Sequence, residues 1–216
     1  MKKILLLIFA VTILSPLSFA QWGLGVKLGA GENDPKDMED AFDSMYGVDR
    51  TLTTSPGIFA LEVLYEKNIE SWPQYSKLGI KAGFDIYGQN NLDISGYGDA
   101  LTETTYSLPI TIYYKYDPGV KKLSFYGGAG ITILRTNLKI DNYIASLIGL
   151  NDEYNGTKVF PHISVGSEYR FSNLFALGLD IKYNIAAKVT ENTSLGSLIL
   201  SDRSGLSGAL AARFYF

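Results

Sequence analysis

The sequence has no cysteine among its 216 residues. That excludes a disulfide scaffold and thiolate metal sites, and it suits an oxidising periplasm, where a stray thiol is a liability. No apolar stretch reaches the roughly 20 residues that a membrane-spanning helix needs; the run Ile4 to Leu14 is too short. There is no basic excess. Without Lys2 and Lys3 the chain carries 17 basic residues against 22 acidic ones, which argues against a nucleic-acid partner, since that wants a basic face. Histidine occurs once, and patterns of helical period are few. The missing helical span does not bear on membrane barrels, whose signal per segment is much weaker.

What is present begins with Lys2-Lys3, the apolar run and then Ser18-Phe19-Ala20. A charged start, a short apolar stretch and small residues at the −3 and −1 positions predict a signal peptide over 1–20, cleaved after Ala20. No Cys follows that position, so lipid attachment there is excluded. Residues 21–216 then form one domain of ordinary size. Glycine and tyrosine are abundant, at 22 and 15 residues, and the composition leans towards β structure.

Period-2 alternation recurs along the whole chain. In "WGLGVKLGAG", Trp22, Leu24, Val26 and Leu28 share one face, with Gly23, Gly25, Lys27 and Gly29 on the other. The runs "GIFALEVLYEK", "KLGIKAGFDIYG", "TYSLPITIYYKY", "LSFYGGAGITI", "VFPHISVGSEYRF", "FALGLDIKYNIA" and "GLSGALAARFYF" repeat the arrangement and bring the count to eight strands. The connections after the second, fourth and sixth strands are tight: "NIESWP", "DPGVK" and "SNL". The other connections run to about 14–22 residues, against a usual median of about 4–6. Tight turns at one end and long loops at the other describe an all-β, eight-stranded antiparallel up-and-down barrel with short periplasmic turns and long extracellular loops.

An eight-stranded barrel is either a soluble cup or a membrane barrel, and the two put opposite faces outward. Three features predict a transmembrane β-barrel. The polar face is rich in Gly, Ser and Ala, as fits a narrow interior, and the apolar face stays nearly free of charge. The third is the clustering of aromatics such as Trp22, Tyr65, Tyr114, Tyr116, Phe171 and Phe214 at the tight-turn end. There they form an interfacial girdle, with Phe59, Phe84 and Tyr106 as a thinner opposite one.

The chain resembles the small eight-stranded bacterial outer-membrane barrels, the OmpA-, OmpX- and OmpW-like group, over all of residues 21–216. The last strand carries the resemblance most clearly: a final Phe216 with Phe214, Ala212 and Leu210 on the same face is similar to that family's C-terminal assembly signal. The hairpin "LPITIYYKY" and "FYGGAGITI" is also similar to the central hairpin of these barrels. The resemblance implies location in the cell outer membrane, insertion by the barrel-assembly machinery, and outer-membrane lipid and lipopolysaccharide as surroundings. The extracellular ligand is left open.

Both signs of charge fall on the inward face: Lys27, Glu62, Lys81, Asp85, Glu168, Asp180, Lys182 and Arg213. The expectation is a salt-bridge network plugging the lumen, with a narrow channel for small or hydrophobic solutes as the alternative. His162-Ile163-Ser164 is the one enzyme-like constellation, resembling the outer-membrane lipid A deacylase with Ser as nucleophile and His as base. It departs from that pattern: both side chains point inward by parity, and Val165 stands where that family has Asn. No catalytic residue, cofactor or metal site is therefore expected, and the functional reading is a structural or surface-binding barrel. The first long loop predicts a helix between Asp34 and Gly47, with Met38, Phe42 and Met45 capping the barrel mouth. Its carboxylates lack EF-hand spacing. A second short helix is expected over Tyr143–Leu150, with Ile144, Leu147 and Ile148 packing on the first. Pro109 and Pro161 remove ladder donors and predict local bulges.

Overall fold

The computed structural model describes residues 20–31, 50–53, 57–69, 76–94, 98–118, 122–193 and 196–216. The expected signal peptide, apart from Ala20, and the expected helix at 34–47 lie outside them. The elements are β1 (Ala20–Gly31), β2 (Arg50–Thr53), β3 (Gly57–Asn68), β4 (Ser76–Tyr87), β5 (Asn90–Ile94), β6 (Gly98–Tyr116) and β7 (Leu123–Ile140). Then come α1 (Asn142–Ile148), β8 (Glu153–Arg170), β9 (Phe175–Asn184), β10 (Lys188–Thr193), β11 (Gly196–Asp202) and β12 (Gly205–Tyr215).

Eight of these strands, β1, β3, β4, β6, β7, β8, β9 and β12, pair antiparallel in that order, and β12 pairs back to β1. The last rung is made by the final residue: Trp22 N donates to Phe216 O at 3.2 Å, and Phe216 N donates to Trp22 O at 2.9 Å. Closure leaves no strand edge in hydrocarbon, where unpaired backbone groups are costly. Following partners from Gln21 through Glu66, Gly79, Tyr113, Gly128, Ser164, Lys182 and Ser207 returns to β1 at Gly31, a stagger of ten residues. With ordinary strand spacings this stagger tilts the strands by about 40°.

The outward face is apolar. Leu24, Val26, Leu61, Val63, Ile80, Ile112, Ile131, Ile163 and Leu179 are all exposed. Aromatic rings ring the tight-turn end: Trp22 against Tyr65 at 4.9 Å, Phe171 against Phe175 at 5.8 Å and Phe175 against Phe214 at 5.1 Å. Towards the other end Phe84 stacks on Tyr106 at 6.0 Å. On β7 the apolar outward residues run from Phe125 to Ile133. At this tilt they span about 20 Å, within the roughly 25 Å apolar band of outer-membrane barrels.

Three of the expected long loops prove to be largely strand. The β4 line continues as β5 beside β6, joined by β2; β6, β7 and β8 run to 18 or 19 residues; and β10 and β11 form a hairpin above β9 and β12. Alternation continues through these extensions with its polarity reversed. In β7, Leu134 and Leu138 point inward at 0% and 1% exposure, while Arg135 and Lys139 point outward. Lower in the same strand, outward Ile131 is 48% exposed and inward Thr132 is buried. The extension is thus an ordinary water-facing sheet with an internal core, built of Leu101, Leu134, Leu138, Phe160, Val189 and Leu200 among others.

The β10–β11 hairpin leans inward where Ala186 (φ 52) and Gly205 (φ 108) leave the β9–β12 ladder in left-handed backbone. Its Val189 and Leu200 sit over Gly156, where a Cβ would stand 2.4 Å from Val189 and 2.9 Å from Leu200. Helix α1 starts at Asp141, whose side chain accepts from Tyr143 N at 2.9 Å. It stops two residues before the expected Leu150 because Gly149 takes φ 70, the usual helix-ending conformation. Ile144 is buried in the extension core. The side chains of Leu147 and Ile148 lie outside the described residues.

The prolines produce no bulge. Pro109 pairs with Thr132, and the β4–β6 register is the same on both sides of it, with the rungs opposite it simply missing. Pro161 pairs with Ile131 in an unshifted ladder; on its other side it faces Ile185 just past the β8–β9 ladder, where its carbonyl accepts from Ile185 N at 3.0 Å and only the return bond is missing.

Candidate functional site: the charged lumen

Inward positions of the barrel carry large polar side chains in stacked layers. Small residues across the strand pair make room for them. Tyr113 lies over its partner Gly79, and Tyr126 over its partner Gly166; a Cβ at these glycines would stand 2.3 Å and 2.4 Å from the rings.

Nearest the tight turns, Lys115 bridges Glu66 at 2.9 Å and Glu168 at 2.7 Å. Tyr113 donates to Glu66 at 3.0 Å, and Tyr215 donates to Glu168. Lys77 and Arg170 close this layer, Lys77 at 3.3 Å from Glu66 and Arg170 at 3.5 Å from Glu168.

The next layer is organised by Arg213. Its Nε donates to Glu62 at 2.6 Å, Nη2 to Asp180 at 2.7 Å and Nη1 to Glu168 at 3.3 Å. Lys27 joins Glu62 at 2.7 Å and Asp180 at 3.2 Å, and Lys81 reaches Asp180 at 3.3 Å. Tyr126 also donates to Asp180. A planar guanidinium offers five donors in a fixed fork, which lets one side chain tie three carboxylates across the lumen.

Higher up, Lys182 pairs with Asp85 at 2.9 Å, and Ser107 donates to the same carboxylate at 3.1 Å. Above that, Glu103 accepts from Arg203 at 3.1 Å, Ser201 at 2.6 Å and Thr105 at 2.7 Å. The Arg203 guanidinium lies 4.8 Å over the Tyr87 ring. The apolar core of the extension closes the top.

All eight charged residues singled out from sequence line the lumen, in two groups: Asp85 with Lys182, and Arg213 with the other five. Glu66, Lys115 and Arg170 join the network as well and carry the same inward parity. Glu103 and Arg203 lie in stretches whose sequence reads as loop. Leu210, Ala212, Phe214 and Phe216 line the outward face of the chain's end, beside β1 and β9.

His162 is buried between two hydroxyls, Nε2 at 2.8 Å from Thr111 and Nδ1 at 2.8 Å from Thr132. Both ring nitrogens are therefore committed, and Ser164 Oγ has no hydrogen-bond partner. The pair lacks the contact through which a histidine activates a serine. Among the described residues, no group of three or more metal-ligating side chains converges, and no helix is long and apolar enough to cross a membrane.

A closed barrel with an apolar outside and a charged inside is a transmembrane β-barrel. Residues 4–205 match the family described as "Outer membrane protein beta-barrel domain", and the chain belongs to that family, whose place is the outer membrane. Among solved structures, the chain is similar to Neisserial surface protein A at 12% identity, covering 92% of this chain and 98% of that one, TM-score 0.49. It is similar to Ail of Yersinia pestis at 10% identity, covering 93% and 100%, TM-score 0.48. For outer membrane protein W of E. coli the identity is 16%, the coverage 94% and 100%, and the TM-score 0.45. The search of the curated proteins finds no match.

Proposed function

We propose that the protein is a non-enzymatic, plugged outer-membrane barrel that acts through the extracellular ends of its strands, as a structural element or a binding surface. The observation that carries this reading is the filled lumen: ion-pair layers centred on Lys115 and Arg213, then an apolar lid of Leu134, Leu138 and Leu200. A solute crossing it would have to break buried ion pairs, and exposing one partner of such a pair costs about 3–5 kcal/mol.

Above the apolar belt, the outward face of β7 and β8 becomes polar through Arg135, Asn137, Lys139, Asn155 and Glu153. Asn137 donates to Glu153 at 2.6 Å and to Asn155 at 3.0 Å. Asn155 also donates to Glu153, at 3.3 Å, and the bonds from Asn137 and Asn155 hold the exposed Glu153 carboxyl below its ordinary value. A stiff polar sheet above the headgroups suits contact with lipopolysaccharide or with an external partner. Leu210, Ala212, Phe214 and Phe216 would serve the barrel-assembly machinery as the terminal address.

The test is single-channel recording in planar bilayers. The plugged reading expects no steps in wild type and none in Arg213→Ala, because the Asp85–Lys182 and Glu103–Arg203 pairs and the apolar lid still close the lumen above it. Steady conductance in wild type would establish the narrow-channel alternative. Lipid A from cells expressing the protein is expected to keep its mass; a shift abolished by Ser164→Ala would make the chain an esterase.

A further inference from the structure

At the tight-turn end the lumen opens in a pocket of about 90 Å³, lined by Lys77, Lys115, Asp117, Lys122, Ser124 and Arg170. By this measure about 10–15 Å³ holds one water, so the pocket has room for one small polar group and waters around it.

Its cations sit side by side. Lys77 is the register partner of Lys115 across β4 and β6, and like charges directly opposite in a sheet are destabilising. Arg170, at the end of β8, is the neighbour of Lys122, just before β7: Arg170 N donates to Lys122 O at 2.7 Å. Lys122 also takes φ 77, a left-handed conformation uncommon for a side chain of this kind. Folding alone does not call for this arrangement.

Lys115 takes the short bonds to the carboxylates of this layer, 2.9 Å to Glu66 and 2.7 Å to Glu168, the range of full charge-assisted hydrogen bonds. Lys77 is left 3.3 Å from Glu66, and Arg170 3.5 Å from Glu168, a carboxylate that Arg213 also shares. Both reach the neutral side-chain oxygen of Gln21, at 3.5 and 3.1 Å. Among the described residues, the Lys122 ammonium bonds the Phe171 carbonyl alone, at 3.2 Å. With Asp117 included, these four cations still exceed the three carboxylates by one charge. Glu66 and Glu168 lie beneath, at 1% side-chain exposure, whereas Lys77 and Arg170 are 27% and 25% exposed. The mouth therefore presents its cations to the periplasm.

A second observation is the Ser124 hydroxyl. Ser124 is 8% exposed, lines the pocket and makes no hydrogen bond among the described residues. One excess positive charge suits a monoanion. The planar Arg170 guanidinium matches the two oxygens of a carboxylate, and the ammonium and hydroxyl groups supply further donors.

We propose that this periplasmic pocket binds a carboxylate group, held by Arg170, Lys77, Lys122 and the Ser124 hydroxyl. The pocket takes little more than that group, so the remainder of a larger ligand projects into the periplasm. The site lies at the opposite pole from the extracellular surface and does not depend on its role.

The experiment is an NMR titration of the full barrel in detergent micelles with sodium N-acetylalaninate. Saturable shifts are expected at the amides of Lys122, Ser124 and Arg170 and none at Glu153 and Asn155. Neutral N-acetylalaninamide, and sodium chloride at equal ionic strength, should not reproduce them. Arg170→Gln is expected to weaken binding by about tenfold, as for loss of a hydrogen bond to a charged group. Should that variant fail to fold, the exposed Lys122→Gln, expected to weaken binding by a smaller factor, still decides. Tighter binding of acetyl-trialanine than of acetate assigns the carboxylate to a peptide end, and equal affinities assign it to a small free acid. Shifts no larger than chloride produces, or tighter binding of inorganic phosphate than of any carboxylate, would overturn the proposal.

Discussion

β7 crosses two environments in one unbroken strand, and its two halves obey opposite rules. From Phe125 to Ile133 the apolar side chains face out and the polar ones face in; from Leu134 to Ile140 the arrangement is reversed. The backbone is the same, paired without a shift to β6 and β8 throughout. Only the solvent differs. In hydrocarbon the outward face must be apolar, and the interior becomes the place for charge. In water the hydrophobic effect pulls the apolar face inward. The crossover from Ile133 to Leu134 therefore marks where the strand leaves the membrane, and it is written in the chain as two adjacent apolar residues.

The two regions should respond differently to damage. The largest effect is expected from Arg213→Ala, which strands Glu62, Glu168 and Asp180 in the lumen. Breaking one side of a buried ion network costs about 3–5 kcal/mol, readable as a lower urea midpoint of the barrel in detergent. In the extension the corresponding weak point is apolar. Leu138→Ala should cost about 2–5 kcal/mol if the core there packs as in a water-soluble protein, and limited proteolysis should then cut the extension while the barrel stays intact.

Polarity swaps on the outward face come next. Ile112→Lys, within the apolar belt, should cost about 2–4 kcal/mol, as for a cation near the bilayer midplane. Arg135→Ile, above the belt, should change stability by less than about 0.5 kcal/mol. Equal costs at the two positions would break the comparison.

The smallest effect concerns Glu153. Its lowered value in the fold makes its slight stabilisation present above the ordinary carboxylate range and lost as pH falls through the depressed value. Glu153→Gln should leave the unfolding midpoint at pH 7 unchanged and flatten any acid dependence of local protection at Asn137 and Asn155.

The belt was legible in the sequence because period 2 is strict there and each strand shows one clean apolar face, as "SFYGGAGITI" does. The extension was not. In "ILRTNLKI" alternation continues from Leu134 to Ile140, yet the apolar face moves to the other parity, and a scan expecting one outward face reads that as the end of the strand. Glu103 and Arg203 were lost for the same reason, since both sit beyond the crossover. Inward parity could locate Glu62, Asp180 and Arg213 on one side of the sheet. Which carboxylate each cation reaches depends on the ten-residue stagger that brings distant strands to one level, and no local pattern encodes that. Pro109 and Pro161 each face a partner strand with the donor missing, yet no bulge forms, because the pairing on either side of Pro109 and the Ile185 N bond to the Pro161 carbonyl keep the register.

The reversal itself can be measured residue by residue, since a cysteine-free chain accepts single spin labels without background. Labels at outward β7 positions, through Ala129→Cys, Ile131→Cys, Ile133→Cys, Arg135→Cys, Asn137→Cys and Lys139→Cys, report collision with oxygen, which concentrates in lipid, and with a water-soluble nickel chelate. The account predicts high oxygen and low nickel accessibility through position 133, then a switch to high nickel accessibility from 135 onward. A profile that stays lipid-like to position 139, or turns aqueous before 131, would contradict it.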